Sequence, residues 1–260
     1  MTDILDTIIA AKRQEIASLR AIVDIDMLIE NSSTPRPFRS MRKALDESSH
    51  GIIAEFKRKS PSKGWIKPEG DSRSLPADYE RNGAAALSIL TDTPFFGGSL
   101  RDIAMARPHT SRPILRKDFI IDEYQLYQAR IIGADAVLLI AAALDPRDCR
   151  QLAAKAHELG LETLLEIHDE KELDHLCEEI DMVGVNNRHL GTFHTDVENS
   201  FRLAEQLPGE MLKISESGIA RPETVVALRQ AGFKGFLIGE TFMRTDNPGE
   251  ALYHFIEQLS

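Results

Sequence analysis

The sequence predicts an α/β fold: a single (β/α)8 TIM barrel preceded by an N-terminal helical extension. Three observations predict it. Short apolar runs recur eight times, at 51–56, 84–90, 113–118, 135–140, 161–167, 181–187, 211–216 and 234–240. They are continuous rather than alternating, the mark of parallel strands covered on both faces. Amphipathic stretches separate them, and such barrels typically need about 250 residues. A doubly wound open sheet is the runner-up, but about six strands would be more usual there, and no GxGxxG follows the first run.

The extension and linker occupy residues 1–48. Ile4, Leu5, Ile8, Ile9 and Ile16 recur at helical spacing, and Asp3 is a candidate cap. "NSSTPRPF", from Asn31 to Phe38, reads as a linker, and a short polar helix is expected from Arg39 to Ser48. Residues 49–260 form the barrel, one domain overall. "DEYQLYQARIIGAD" begins after Ile121 and stops at Gly133. "DPRDCRQLAAKAHELG" has an Asp-Pro start and a Gly stop, and "ARPETVVALRQAGF" repeats that grammar with Pro222 and Gly232. Cys149 and Cys177 both fall in helical patterns and form no CxxC pair, so reduced structural thiols are expected.

A formal net charge of -10 argues against a general nucleic-acid or membrane surface, while leaving room for a locally cationic anion site. The N-terminus has no long apolar run, so neither a signal peptide nor a membrane span is expected, and the cytoplasm is the expected location.

Barrel sites are built at the carboxyl ends of the strands. Alternate strand residues share a face, so Glu55 and Lys57 fall together at the end of the first strand, with Phe56 and Arg58 on the other side. The next ends supply Thr91, Asp92, Phe95, Phe96, Gly97 and Gly98; Lys117 and Asp118; the apolar Leu138 and Ile140; and Glu166 with His168. Asn186, Asn187 and Arg188 follow, then Glu216, Ser217 and Gly218, and finally Gly239, Glu240 and Thr241. Each residue alone has a structural explanation, such as an ion-pair layer inside a barrel. Their conjunction at one rim points to chemistry. His168, beside Asp169 and Glu170, reads as a helix-start residue rather than a catalyst. No metal set is expected, since His189 and His194 lie five apart in a loop without partner spacing. "SESGI" and "IGETFMR" read as a phosphate site, with backbone N–H groups near Gly239 facing the anion and the Glu240 side chain turned away.

These motifs resemble the indole-3-glycerol phosphate synthase family over nearly the whole chain. "IIAEFKRKSPSKG" is the most specific; "LSILTD", "FFGG", "ILRKDFIID", "GADAVLLIA", "LLEIHDE", "VGVNNRHL", "SESGI" and "LIGETFMR" follow in family order. The chain departs at Glu240, where a small Ser or Thr is frequent, and at "WIKPEGDSRS", whose Trp and Lys the motif leaves without a role. The resemblance implies closure of an indole ring with loss of CO2 and water, without cofactor or metal. It makes Lys117 the general acid at a ketone and Glu166 the base or the partner orienting that acid. Lys57 becomes the cation near the substrate carboxylate and phosphate, and a candidate second acid. Glu55 would hold the lysines, and Asn186 and Ser217 would bind sugar hydroxyls. Lys57, Ser60, Gly218, Gly239 and Glu240 would bind phosphate. Phe96, Leu138 and Ile140 would line a slot for the aromatic ring, and Arg188 is a candidate partner for Glu55 or Glu166. The expected partner is a phosphorylated small molecule, the expected state a monomer or weak dimer. The loop from Ser60 to Leu75, long and carrying Lys63 and Lys67, reads as a lid. Three other readings fit a rim of this kind: a Schiff-base aldolase with Lys117 or Lys57 as nucleophile, a sister barrel isomerising a phosphoribosyl amine, and a barrel that only binds a phosphorylated ligand. Borohydride trapping would reveal the first. The pair of Lys117 and Glu166 is more than the third needs.

Overall fold

In the computed structural model, which describes residues 4–189, 191 and 193–259, eight parallel strands close a barrel. They are β1 (Ile52–Phe56), β2 (Ala86–Leu90), β3 (Ile114–Lys117), β4 (Ala136–Ile140), β5 (Glu162–Ile167), β6 (Met182–Asn186), β7 (Leu212–Glu216) and β8 (Phe233–Ile238). Each pairs with its neighbour in sequence, and β8 returns to β1 through Ile52 opposite Phe236. The expected fold class is observed, with every strand inside or within a residue of its apolar run.

The period of two sorts each strand into two cores. Ile52, Ala54 and Phe56 of β1 pack outward beneath the helices, as do Val183 and Val185 of β6. Ile53, Leu164, Met182 and Ile214 point into the barrel. The outer ring contains α4 (Leu75–Arg81), α5 (Leu100–Ala106), α6 (Glu123–Ile132), α7 (Pro146–Glu158), α8 (Glu198–Ala204), α9 (Pro222–Gln230), the short α10 (Glu240–Met243) and α11 (Pro248–Glu257). Only a 3-10 helix, Glu170–His175, follows β5. The helix signals act as expected. Asp145 accepts from the N–H groups of Arg147 and Asp148 ahead of α7, and Gly133 ends α6 at φ 94°. Cys149 lies in α7, but Cys177 lies beyond the 3-10 helix, a correction to its helical reading; both thiols are free.

The extension forms α1 (Ile4–Arg20), α2 (Ile25–Ser32) and α3 (Met41–Asp46). The candidate cap Asp3 lies outside the described residues. Asp24 accepts from the Asp26 N–H and starts α2, a break the apolar spacing does not announce. The linker that follows begins inside the end of α2. The extension serves both ends of the barrel. At the amino ends of the strands, Met41 and Leu45 of α3 are 0% and 1% exposed and belong to the interior cluster. Glu162, at the start of β5, accepts from the backbone N–H of Met41 at 2.6 Å and of Arg42 at 3.0 Å, fixing α3 there. At the carboxyl ends, Ile4, Leu5 and Ile8 of α1 line a cavity. No described helix is long and apolar enough to cross a membrane.

Candidate active site

The inward faces of the strands end in a layer of polar side chains around a cavity of about 680 Å³. Glu55, Lys117, Glu166, Asn186 and Glu216 each occupy the last or next-to-last inward position of their strand, as the period of two requires. Two glycines make room for two of the carboxylates. A Cβ on Gly184 would lie 2.3 Å from Glu216 Oε1, and one on Gly239 would lie 2.3 Å from Glu55 Oε1. An alanine at either place would displace the neighbouring carboxylate.

Lys117 is the hub. Its Nζ donates to Glu166 Oε2 at 2.8 Å and to Glu216 Oε2 at 2.6 Å. Burial works against the ammonium, but Glu166, Glu216 and Glu55 outweigh it and raise its pKa above the usual lysine value. The two glutamates divide unequally. Glu166 also accepts from Asn186 Nδ2 at 3.0 Å and has the His168 ring 3.4 Å away. Burial pushes its pKa up, yet Lys117 and His168 prevail and hold it below the usual carboxylate range. Glu216 has less support: its Oε1 is buried with no hydrogen-bond partner. Burial, joined by the neighbouring Glu166 and Glu55, raises its pKa despite Lys117. Lys57 pairs with Glu55 across the first strand's end. Outward-facing Phe56 and Arg58 do leave the site: Arg58 stacks over the Phe56 ring at 4.7 Å and binds Asp102 with two nitrogens, at 2.7 and 2.9 Å.

One wall of the cavity is apolar, with Phe96, Leu138 and Ile140 joined by Leu90, Phe119 and the α1 residues. The Phe96 and Phe119 ring centroids stand 6.0 Å apart. The opposite wall is the backbone of Ser217–Gly218 and Gly239–Glu240. Ser217 takes φ 68°, a left-handed conformation that costs a non-glycine residue of order 1–3 kcal/mol and tends to be held at functional positions. Glu240 is neutralised by Arg244 and by Arg188, whose Nη2 stands 3.7 Å away.

Every residue to which the resemblance gives a role lines this one cavity except Ser60, which is buried in the hairpin formed by Lys59–Ser60 and Gly64–Trp65. Its neighbours Pro61, Ser62 and Lys63 line the cavity instead. Arg188 corrects the pairing expected for it: it meets Glu240 and Thr195, not Glu55 or Glu166. His168 does precede a helix, and its N–H reaches Glu172 Oε2 at 2.5 Å, but its ring also flanks Glu166. Glu172 and Glu166 raise its pKa against the opposing effect of burial. Sequence alone leaves Glu216 without a role, although the inward spacing of Leu212, Ile214 and Glu216 carries the signal. It also misses Phe193 and Thr195 of the loop after β6, for which no periodic signal exists. Among the described residues, no group of three or more His, Cys, Asp or Glu side chains is placed to hold a metal ion.

A family profile described as Indole-3-glycerol phosphate synthase matches residues 5–255. The indole-3-glycerol phosphate synthase of Bacteroides thetaiotaomicron is 60% identical over 259 residues, covering 100% of both chains. That of Neisseria meningitidis (serogroup C) is 46% identical and covers 95% of this chain and 96% of its own. Among solved structures, a mutant tryptophan synthase alpha-subunit from Pyrococcus furiosus superposes with a TM-score of 0.61 at 15% identity, covering 81% of this chain and 97% of its own. A 3-hexulose-6-phosphate synthase from Salmonella typhimurium gives 0.60 at 15% identity, covering 81% and 100%. At such identities these two likenesses speak for the fold alone.

Proposed function

The chain belongs to the indole-3-glycerol phosphate synthase family, and on that premise we propose how the rim divides the reaction among its residues. The activity is that of a carboxy-lyase of tryptophan biosynthesis. It closes the ring of 1-(2-carboxyphenylamino)-1-deoxy-D-ribulose 5-phosphate to give indole-3-glycerol phosphate, CO2 and water.

The ring carbon that bears the carboxylate attacks the ketone. Lys117 donates a proton to the ketone oxygen, so that a hydroxyl rather than an alkoxide forms. Breaking the bond to the carboxylate returns its electron pair to the ring and releases CO2. The hydroxyl then leaves as water on taking a second proton, and loss of a proton from the adjacent carbon completes the pyrrole. Lys57 is assigned the second proton and the early contact with the substrate carboxylate. Glu166 is assigned the final deprotonation, after having oriented Lys117. Glu55 holds the Lys57 ammonium in place. Phe96, Leu138 and Ile140 take the aromatic ring. The backbone at Gly218, Gly239 and Glu240 takes the phosphate together with Lys57, and Asn186 and Ser217 take the sugar hydroxyls. Ser60 serves this scheme only through the hairpin it holds.

One observation carries the assignment: a half-buried ammonium, Lys117, gripped at 2.8 and 2.6 Å by two glutamates of unequal acidity and facing a cavity apolar on one side. Fixed charge aimed at a developing alkoxide is the arrangement this closure needs. The test is indole fluorescence during turnover of the deoxyribulose compound. Wild type should form the product. Lys117→Met should lose on the order of 10² to 10⁴ in kcat, the usual worth of a general acid, with an unchanged circular dichroism spectrum. Lys57→Met should damage KM and kcat together. A Lys117→Met enzyme with wild-type kcat would transfer the acid role to Lys57.

A further inference from the structure

The buried stripe of α1 reads Leu5, Ile8, Lys12 and Ile16. Lys12 interrupts it: an ammonium on an apolar helix face, 1% exposed. A residue needed only for packing would be a leucine or methionine, since a buried charge is costly unless paired. Lys12 is paired three times. Its Nζ lies 2.8 Å from Glu15 Oε2, 3.2 Å from Asp92 Oδ2 and 3.0 Å from Asp118 Oδ1.

The two aspartates stand at the carboxyl ends of β2 and β3. Asp118 directly follows Lys117 and accepts from the Phe119 N–H at 2.8 Å. Its other oxygen is held by Arg116 at 3.0 Å and Thr91 at 2.6 Å. Asp92 accepts from the Phe95 N–H at 2.9 Å and so shapes the turn that carries Phe96. The lysine therefore ties α1 to the two strand ends that present the Phe96–Phe119 pair. One and two turns earlier, the same helix places Ile8, Leu5 and Ile4 against the cavity.

We propose that Lys12 is a positioning residue for the ring closure, a buried electrostatic lock that holds α1 in place as one wall of the aromatic slot. The proposal rests on the slot assigned above. Lys12 itself touches no reacting atom. It fixes how closely Ile8 and Leu5 approach the ring, and thereby the affinity for the aromatic end of the substrate. Lys117 has its own partners, Glu166 and Glu216, and shares none of them with Lys12. Ring affinity and turnover are thus separable.

The test compares wild type, Lys12→Met and the double variant Lys12→Met/Asp92→Asn. The double variant is needed because Asp92 Oδ2 has no hydrogen-bond partner beside this ion pair and would otherwise stay buried as an uncompensated charge; Asp118 retains Arg116. Two probes report the two ends of the site as competitive inhibitors: 2-aminobenzoate for the ring slot and glycerol 3-phosphate for the phosphate loops. In the double variant, substrate KM and the 2-aminobenzoate inhibition constant should each rise about tenfold, the equivalent of one modest contact. The glycerol 3-phosphate constant and kcat should stay within about twofold, and amide exchange should quicken in α1 but not in the barrel strands. An unchanged KM and ring-probe constant in the double variant would overturn the lock. Equal weakening of both probes would also overturn it, by showing general destabilisation. Failure of wild type to turn over the deoxyribulose compound would instead sink the functional reading itself.

Discussion

Glu166 and Glu216 share one ammonium, and they do not share it equally. Glu166 has Asn186 and His168 to support its charge, whereas Glu216 leaves one oxygen buried and unbonded. A carboxylate with its pKa raised by burial is protonated further up the pH scale than an ordinary glutamate. The sign follows: as pH falls through that raised pKa, Glu216 gains a proton and Lys117 loses half its grip. The acid limb of kcat should therefore lie above the usual carboxylate range. In Glu216→Gln that limb should move down in pH, because the remaining partner, Glu166, is held below the usual range, and kcat at the optimum should fall roughly tenfold or more with the loss of one anchoring contact. A limb that stays where it is in the pH–kcat profile of Glu216→Gln would assign it to another group. The sequence places Lys117 and Glu166 at strand ends on the inward face, and the family resemblance makes Glu166 the base or the partner of Lys117. The inequality of the glutamates is not readable, since it depends on Asn186 and the space left by Gly184, both on the strand between them, and on which way the His168 ring turns.

At the scale of elements, the length and lysines of the loop after β1 suggest a lid, but not which part of it would move. The structure divides it. From Lys67 onward it is fastened: Lys67 Nζ donates to Thr245 O at 3.0 Å, and Arg58 Nε to Gly70 O at 2.9 Å. The Arg58–Asp102 anchor spans 44 residues and has no local signature. The tip is held mainly by the short antiparallel pairing of Lys59 with Trp65 and Ser60 with Gly64, and Trp65 is 59% exposed. Pro61, Ser62 and Lys63 meanwhile face the cavity. We propose that residues 60–66 are the moving part, closing when a phosphate-bearing ligand gives Lys63 a partner. Hydrogen exchange should show protection gained there on adding glycerol 3-phosphate, with residues 67–75 little changed. Equal protection with and without the ligand would refute the closure.

Across the whole molecule, the rhythm of eight apolar runs exposes the barrel to sequence reading because each run carries its own burial pattern. The plug at the far end carries none. "RSMRKALDES" has few apolar residues and reads as a short polar helix; Met41 and Leu45 become core only because Leu164, Met182, Leu212 and Ile214 surround an opening that no short segment can announce. We propose on this basis that the extension and the barrel unfold as one unit. Fully burying two side chains of this size contributes on the order of 3–6 kcal/mol, which is decisive against a net stability of about 5–15 kcal/mol. Leu45→Ala should then cost about 2–5 kcal/mol, the usual range for a leucine truncated in a closed core. It should lower a single transition followed identically by far-ultraviolet and near-ultraviolet circular dichroism in urea. Turnover per folded molecule should remain near wild type, because Leu45 lies at the end of the barrel away from Lys117. Ile8→Ala, in the same extension but at the mouth, should reverse that pattern and raise KM more than it lowers stability. Two separate transitions, or a Leu45→Ala protein as stable as wild type, would mean that residues 1–48 fold independently of the barrel they close.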